Sequence, residues 1–194
     1  MLKNQNLFYK KKIFIYGLGK SGLSVFKFLK KNNKITTYDD KIKIDNKKIT
    51  KIKFDYIIIS PGININKCSL SKFLKNNSKK IHTDLDIFYD HYKKNTNIAI
   101  TGTNGKSTTA KILYDVLKDQ KVDVRLVGNI GNPVLLEKKV TSKTVFVIEA
   151  SSYQLEYSKL FKSNISLILN ISPDHLERHK TINKYVSAKF KLVK

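Results

Sequence analysis

Two places in this sequence run from a short apolar strand straight into a glycine-rich loop and on into an apolar-periodic segment, and this pairing limits the possible folds more than any other feature. In the first, Lys11 to Tyr16 (KKIFIY) enters Gly17-Leu18-Gly19-Lys20-Ser21-Gly22 and then Leu23 to Leu29. In the second, Ile98 to Thr101 enters Thr101-Gly102-Thr103-Asn104-Gly105-Lys106-Ser107-Thr108, and the spacing predicts a helix over Ser107 to Leu117. Glycine allows a tight turn and close backbone approach, and the helix that follows begins with unpaired N–H groups and partial positive charge. Each junction is therefore suited to a phosphate, and two of them imply two units.

The rest of the chain continues the alternation. Lys34 to Tyr38 reads as a strand ending in Asp39 and Asp40, and Tyr56 to Ile59 as one ending in Ser60-Pro61-Gly62, where proline and glycine stop continuation. Leu70 to Leu74 and Leu85 to Tyr92 are amphipathic and read as helices, with Phe26, Phe28, Phe73 and Phe88 at helical spacing as core residues. The polar segment Tyr92 to Asn97 then separates the two units. Further strands are predicted at Val124 to Val127, Val145 to Ile148 and Ile165 to Leu169, and a helix from Ile182 onward. The expectation is an α/β protein: a Rossmann-like parallel-sheet domain over 1–93, followed by a P-loop-type α/β domain over 94–194. The second reads as incomplete, since Lys194 is reached inside a helix without a cap.

Composition excludes some partners. The net charge of +23 comes from 38 Lys and Arg against 15 Asp and Glu, yet the lysines are spread over nearly the whole chain and only Arg125 and Arg178 are arginine. Nucleic-acid recognition calls for clustered cations, so a general compositional bias acting on solvated faces is the better reading, and neither nucleic acid nor membrane is expected as a partner. There is no apolar run of about 18 residues, and the start MLKNQNLFYKKK carries no secretory apolar stretch, so a cytoplasmic location is expected. Cys68 is the single cysteine, which leaves no disulfide framework or thiolate cluster within one chain and makes it an inert filler.

On the residues alone, Gly17-x-Gly19-x-x-Gly22 with Asp39 lying 22 residues after Gly17 satisfies a dinucleotide-binding fingerprint. It leaves open an NAD enzyme, a UDP-sugar site or a simple tight turn. Gly105-Lys106-Ser107 supplies the working end of a nucleotide loop: N–H groups around phosphates, a lysine for the β/γ-phosphates and a hydroxyl for magnesium. The usual P-loop spacing puts its first glycine at position 100, which is Ile100. Glu149 closes the apolar strand Val145 to Ile148 on the ligand-binding edge, where magnesium needs an oxygen donor, although a strand-capping role is the alternative. His175 follows another strand on the same edge and is read as a ligand against a structural histidine. His82, His91 and His179 receive no role.

The form Thr-Gly-Thr-x-Gly-Lys-Ser/Thr of the second loop resembles that of the Mur ligases and their folylpolyglutamate synthetase relatives. Three further stretches agree in order and spacing. Gly128-Asn129-Ile130-Gly131 resembles the glycine-asparagine loop of the D-glutamate-adding branch, and Glu149-Ala150-Ser151-Ser152-Tyr153-Gln154-Leu155-Glu156 its glutamate-x-serine-serine-aromatic-glutamine-leucine stretch. Asn170 to His179 (NISPDHLERH) resembles the asparagine-to-aspartate-histidine stretch of all these ligases.

What the resemblance implies is ATP-driven amide formation between UDP-N-acetylmuramoyl-L-alanine and D-glutamate through an acyl phosphate, in peptidoglycan synthesis. ATP would lie over Gly102, Thr103, Asn104, Gly105, Lys106, Ser107 and Thr108, with Lys106 neutralising the transferred phosphoryl group and Ser107 and Glu149 holding Mg2+. Asn129 and His175 would position the UDP-linked substrate, with His175 near a second metal. The UDP end would meet Lys20, Ser21, Gly22, Asp39, Asp40, Ser60, Pro61 and Gly62. Asp40 and Lys41 stand where the family more often has threonine and arginine. Tyr185-Val186-Ser187-Ala188-Lys189 resembles the segment whose lysine is carbamylated by CO2, so Lys189 would help hold the second metal. The family also has a carboxyl-terminal domain that supplies most of the amino-acid site. Nothing here corresponds to it, so the chain is expected to be an amino-terminal fragment of a monomeric enzyme, inactive alone. A non-catalytic nucleotide-binding module and an NAD- or UDP-sugar-dependent oxidoreductase are the alternatives.

Overall fold

The computed structural model describes residues 6–42 and 47–193. The start of the leader reading, residues 1–5, and the final Lys194 lie outside the described residues.

The described residues form two four-stranded sheets, each wholly parallel. The first unit runs β1 (Lys12–Tyr16), α1 (Lys20–Leu29), β2 (Lys34–Tyr38), α2 (Lys47–Thr50), β3 (Tyr56–Ile59), α3 (Ser71–Asn76), β4 (Ile81–His82) and α4 (Asp84–Tyr92), with strand order β2-β1-β3-β4. The second runs β5 (Asn97–Thr101), α5 (Lys106–Asp119), β6 (Val124–Gly128), β7 (Val145–Glu149), α6 (Ser152–Glu156), β8 (Ile165–Ile168), α7 (Leu176–His179) and α8 (Ile182–Phe190), with order β6-β7-β5-β8. The α/β class and the parallel sheets agree with the sequence reading. Four short elements, α2, β4, α6 and α7, escaped it, because at two to five residues no periodicity can register. The last helix ends at Phe190 and gives way to a 3-10 turn over Lys191–Val193, where a continuing helix was expected.

In each sheet the first strand lies between strands reached in opposite directions, so its carboxyl end is a topological switch point. Both glycine loops leave from such a point. Ile13, Ile15 and Ile58 from the first sheet share one buried cluster with Leu85 and Phe88 of α4 and with Ala99, Phe146 and Ile148 of the second. Phe88 meets Phe146 edge-on, with ring centroids 4.9 Å apart. Thus α4 is packed by both sheets, and the polar segment after it is anchored, since the buried Asn95 amide donates to the carbonyls of Thr141 and Thr144 at 2.7 and 2.9 Å. Of the phenylalanines expected in the core, Phe88 is fully buried, while Phe26, Phe28 and Phe73 pack as partly buried margins.

Asp86 fastens the units together. One carboxylate oxygen accepts from the Ser158 hydroxyl and from the backbone N–H groups of Lys159, Leu160 and Phe161, and the other meets the Thr83 N–H and the His82 ring. Burial works against ionisation, but the hydrogen bonds from His82, Ser158 and Leu160 overcome it and hold the carboxyl below its ordinary range.

Candidate functional site

The first glycine loop is set by close backbone approach. A Cβ on Gly22 would sit 1.8 Å from the Gly17 carbonyl oxygen, so only glycine fits there. The Ser60 hydroxyl donates to that same carbonyl at 2.7 Å, bringing the Ser60-Pro61-Gly62 turn onto the loop. Around Gly19, by contrast, a Cβ would meet nothing within 4 Å, which leaves open room beside the amino terminus of α1.

Asp39 and Asp40 are turned to local partners. The Asp39 carboxylate accepts from Leu18 N–H at 2.6 Å and from Lys41 N–H at 3.0 Å, and these bonds lower its pKa. It therefore braces the glycine loop from behind. The Asp40 carboxylate accepts from the Tyr16 hydroxyl at 2.7 Å and the Ser69 hydroxyl at 2.5 Å. Burial, reinforced by that carboxylate, pushes the Tyr16 phenol up. Lys20, Ser21 and Gly22 form the first turn of α1.

Sheet register builds the second site. Glu149 at the end of β7 pairs with Ile100 on one side and Gly128 on the other. A Cβ on Gly128, at φ +109°, would lie 2.3 Å from the Glu149 carbonyl oxygen, so a glycine is needed for this crossing. The fully buried Glu149 side chain then receives the Ser107 hydroxyl on Oε2 and the Asn129 amide on Oε1, each at 2.8 Å. These three residues, far apart in sequence, meet at the carboxyl edge of the sheet.

The nucleotide-type loop is tied to the segment after β8. Thr103 N–H donates to the Asn170 carbonyl at 3.0 Å and Asn104 N–H to the Asn170 side chain at 2.9 Å, while the Thr103 hydroxyl bridges Ser172 and the Tyr185 hydroxyl. With those two N–H groups engaged, the N–H groups of Lys106, Ser107 and Thr108 stand ahead of the first helical bond from Thr109 to Gly105 and could receive an anion. The Lys106 ammonium folds back on the Thr103 carbonyl at 2.6 Å.

Lys189, only 1% exposed, points beneath the same loop. Its ammonium donates to the Gly102 carbonyl at 2.7 Å and lies 4.6 Å from the Tyr185 ring centroid. Burial, and next the nearby Lys106, lower its pKa to about 8 against the opposing pull of Asp174.

His175 is held by partners of its own. It occupies the amino cap of α7 at φ 52°, half-exposed between Asp174 at 3.4 Å and Glu177 at 3.7 Å, with its ring against Tyr153. Among the described residues no hydrogen bond or ion pair joins it to Glu149, and no cluster of three or more His, Cys, Asp or Glu side chains is placed to hold a metal. The donors that do converge, one carboxylate and one hydroxyl, suit magnesium, which takes few protein oxygens and completes its shell with phosphate and water.

Sequence reasoning gave no role to Arg178 or Asp84. Arg178 donates to Glu156 at 2.8 Å and to the Ile63 carbonyl at 2.7 Å, so it ties the segment around His175 to the first unit. Asp84 is 2% exposed at the start of α4, and burial raises its pKa to about 6. The alternation of acidic and apolar residues in Thr83 to Phe88 was the available signal, but on a helix at a unit boundary it looks like an ordinary solvated face. His179, also without a role, is buried with its ring 3.1 Å from the Ser152 hydroxyl.

Residues 100–194 match the Mur ligase middle domain. The chain is 38% identical to the "UDP-N-acetylmuramoylalanine--D-glutamate ligase" of Rickettsia bellii (strain RML369-C) over 94% of its own length and 43% of that protein's. It is 37% identical to the protein of the same name from Rickettsia prowazekii (strain Madrid E) over 96% of its length and 44% of the relative's. It thus spans well under half of these relatives. Among solved structures, the crystal structure of a UDP-N-acetylmuramate:L-alanyl-gamma-D-glutamyl-meso-diaminopimelate ligase from Neisseria meningitides superposes with a TM-score of 0.58 at 16% identity, covering 95% of this chain and 68% of that one, a likeness of fold.

Proposed function

This chain belongs to the Mur ligase family, and on that premise we propose that it carries the UDP-substrate unit (1–93) and part of the ATP-binding unit (94–194) of an enzyme that joins D-glutamate to UDP-N-acetylmuramoyl-L-alanine at the expense of ATP. The observation that supports this most is the meeting of Ser107, Glu149 and Asn129 beside Lys106 at one switch point.

In this reading the N–H groups of Lys106 to Thr108 bind the ATP phosphates. Lys106 swings from the Thr103 carbonyl to neutralise charge developing on the γ-phosphoryl group as the substrate carboxylate attacks it, and the amine of D-glutamate then displaces phosphate from the acyl phosphate. Ser107 and Glu149 would hold magnesium, which supplies Lewis-acid neutralisation of the phosphate oxygens when bound. Asn129 would orient the substrate near that point, with His175 on its far side. Lys189 is assigned as a carbamate: its neutral amine attacks carbon dioxide, an N–C bond forms and a proton leaves, replacing a cation with an anionic oxygen donor. The lowered pKa of Lys189 favours the neutral amine. Lys20, Ser21 and Gly22 would receive the diphosphate of the UDP group, with the Ser60-Pro61-Gly62 turn alongside. Asp40, already engaged by Tyr16 and Ser69, is assigned to shaping the wall of the uracil pocket. A cytoplasmic, monomeric enzyme completes the proposal; among the described residues no helix is long and apolar enough to cross a membrane.

The test is phosphate release by the full-length protein with UDP-N-acetylmuramoyl-L-alanine and ATP, offering D-glutamate, L-alanine, meso-diaminopimelate or L-lysine in turn. D-glutamate is expected to be preferred, and Lys106→Ala is expected to abolish release while leaving UDP-substrate affinity nearly intact. Preference for another amine would place the chain in a different branch. Undiminished turnover by the variant would remove the role of Lys106.

A further inference from the structure

Arg178 of α7 bridges the two units through its side chain. That side chain is only 6% exposed: its Nε donates to Glu156 of α6 at 2.8 Å, and its guanidinium lies over the rings of Tyr153 and Tyr157, 5.2 and 5.5 Å from their centroids. Tyr157 in turn packs against the core of the first unit, as do Ile63 and Ile65. The remaining arm, Nη2, donates to the Ile63 carbonyl at 2.7 Å. A planar fork can serve a carboxylate and a carbonyl at once while stacking on aromatic faces, which the single ammonium of a lysine cannot. An enclosed cation is costly unless it is paired, and these partners hold the guanidinium in one geometry.

What the bridge connects gives it a use. Ile63 follows the Ser60-Pro61-Gly62 turn after β3, and Arg178 follows His175 after β8. In open parallel sheets ligands bind outside the carboxyl ends of the strands, so the bridge joins segments that border the two candidate sites. Hydrogen bonds connect those sites step by step. The Ser60 hydroxyl donates to the Gly17 carbonyl at 2.7 Å and the Ile63 N–H to the Ser60 carbonyl at 2.9 Å, next Arg178 donates to the Ile63 carbonyl, and the Arg178 N–H reaches the His175 carbonyl at 3.0 Å. The ties at Asp86 and Asn95 instead fasten α4 and the segment after it.

We propose that Arg178 is a positioning residue that sets where the UDP-substrate site stands relative to the ATP site, so that a substrate carboxylate carried by the first unit meets the γ-phosphoryl group held by the second. The inference rests on the reading of the first loop as the UDP-substrate site and of the second as the ATP site. Each site is closed locally without Arg178. Ser60 and Ile63 form the first turn with Gly17, and Asn170 and Ser172 hold the second loop. Losing the Ile63 bond therefore leaves both sites able to bind and alters only their mutual placement. A reaction between two bound groups is sensitive to that placement, a shift of about 1 Å costing about 10²-fold in rate. The effect of Arg178 accordingly falls on turnover and spares the binding of either ligand alone.

The experiment compares the full-length protein with Arg178→Ala and Arg178→Lys; the lysine keeps a cation for Glu156 but cannot serve the Ile63 carbonyl at the same time, and it carries the test should Arg178→Ala fold poorly. Calorimetric titrations with uridine diphosphate and with a non-hydrolysable ATP analogue, each alone, are set beside steady-state phosphate release with UDP-N-acetylmuramoyl-L-alanine, D-glutamate and ATP. In Arg178→Lys both affinities are expected to match the parent while kcat falls by about 10-fold or more. Turnover at the parent rate overturns the proposal. So does a fall in turnover matched by an equal loss of affinity for either ligand, the pattern of an arginine that only supports one site. Both outcomes spare the loop assignments. Failure of the unmodified protein to bind uridine diphosphate overturns the assignment of the first loop, and this inference with it.

Discussion

The Ser107 hydroxyl donates to Oε2 of Glu149 across 2.8 Å, joining the second residue of α5 to the last residue of β7. In the proposed reading this pair is where the two halves of a metal-assisted phosphate site would meet. Replacing Glu149 with Gln keeps the size but turns an amide N–H2 toward one of two donors, Ser107 or Asn129. Magnesium-dependent phosphate release is expected to fall by about 10²-fold or more, with UDP-substrate binding preserved. Steady-state turnover alongside a UDP-ligand titration checks it, and turnover within a factor of a few of the parent would reject the metal role.

The glycines of the first loop should separate by function. Gly22→Ala forces a Cβ into the Gly17 carbonyl, at 1.8 Å before any adjustment, and is expected to lower stability by about 1–3 kcal/mol. Gly19→Ala meets no neighbour within 4 Å, so it should melt like the parent yet weaken UDP-substrate binding by intruding on the ligand's space. Thermal melts paired with binding titrations decide this. Equal binding by Gly19→Ala and the parent would show that no ligand lies close there.

Lys189 carries a pH signature. Its folded pKa of about 8 lies below the 10.5 of a free lysine, so between those values the folded state holds fewer protons than the unfolded one. Stability from this group therefore rises as pH climbs from about 8 to about 10.5, and its full penalty is present below about 8. Lys189→Met should remove that pH dependence and be more stable at neutral pH while losing activity. In Lys189→Ala, added short carboxylates should restore part of the turnover by occupying the vacated space. Full activity in Lys189→Ala would discard the carbamate.

Asp86 should behave in the opposite sense. Its folded pKa is depressed, so the stability it contributes is present above the unfolded value of 3.8 and is lost as pH falls through the folded one. Asp86→Ala strands four donors from the 158–161 segment and is expected to cost about 3–5 kcal/mol. Denaturant unfolding at neutral and acid pH tests both statements; a cost that does not shrink in acid would contradict the ionised Asp86.

Local pattern determined much of this protein. A run such as Phe14-Ile15-Tyr16 before Gly17, or Val147-Ile148 before Glu149, fixes a strand and its end because apolar runs, glycine turns and helical spacing act over a few residues. The α/β class, the two loops and the edge on which Lys106, Ser107, Asn129 and Glu149 stand were therefore readable in one dimension. What each carboxylate faces was not. Asp39 and Asp40 look alike in sequence, yet one braces Leu18 and the other accepts from Tyr16 and Ser69. Asp84 and Asp86, two residues apart, differ because burial dominates at the first, with the charge of Asp86 adding to it, while the second finds a histidine and a turn of backbone N–H groups from the second unit. The seat of His175 between Asp174 and Glu177 is likewise set by how α7 leaves the sheet, and the reach of Lys189 to the Gly102 carbonyl by how α8 returns under the loop. Strand order, register and helix packing bring together groups tens of residues apart. In a low-dielectric interior, whether such a group meets a donor, an anion or nothing decides its charge, and only the tertiary structure supplies that neighbour.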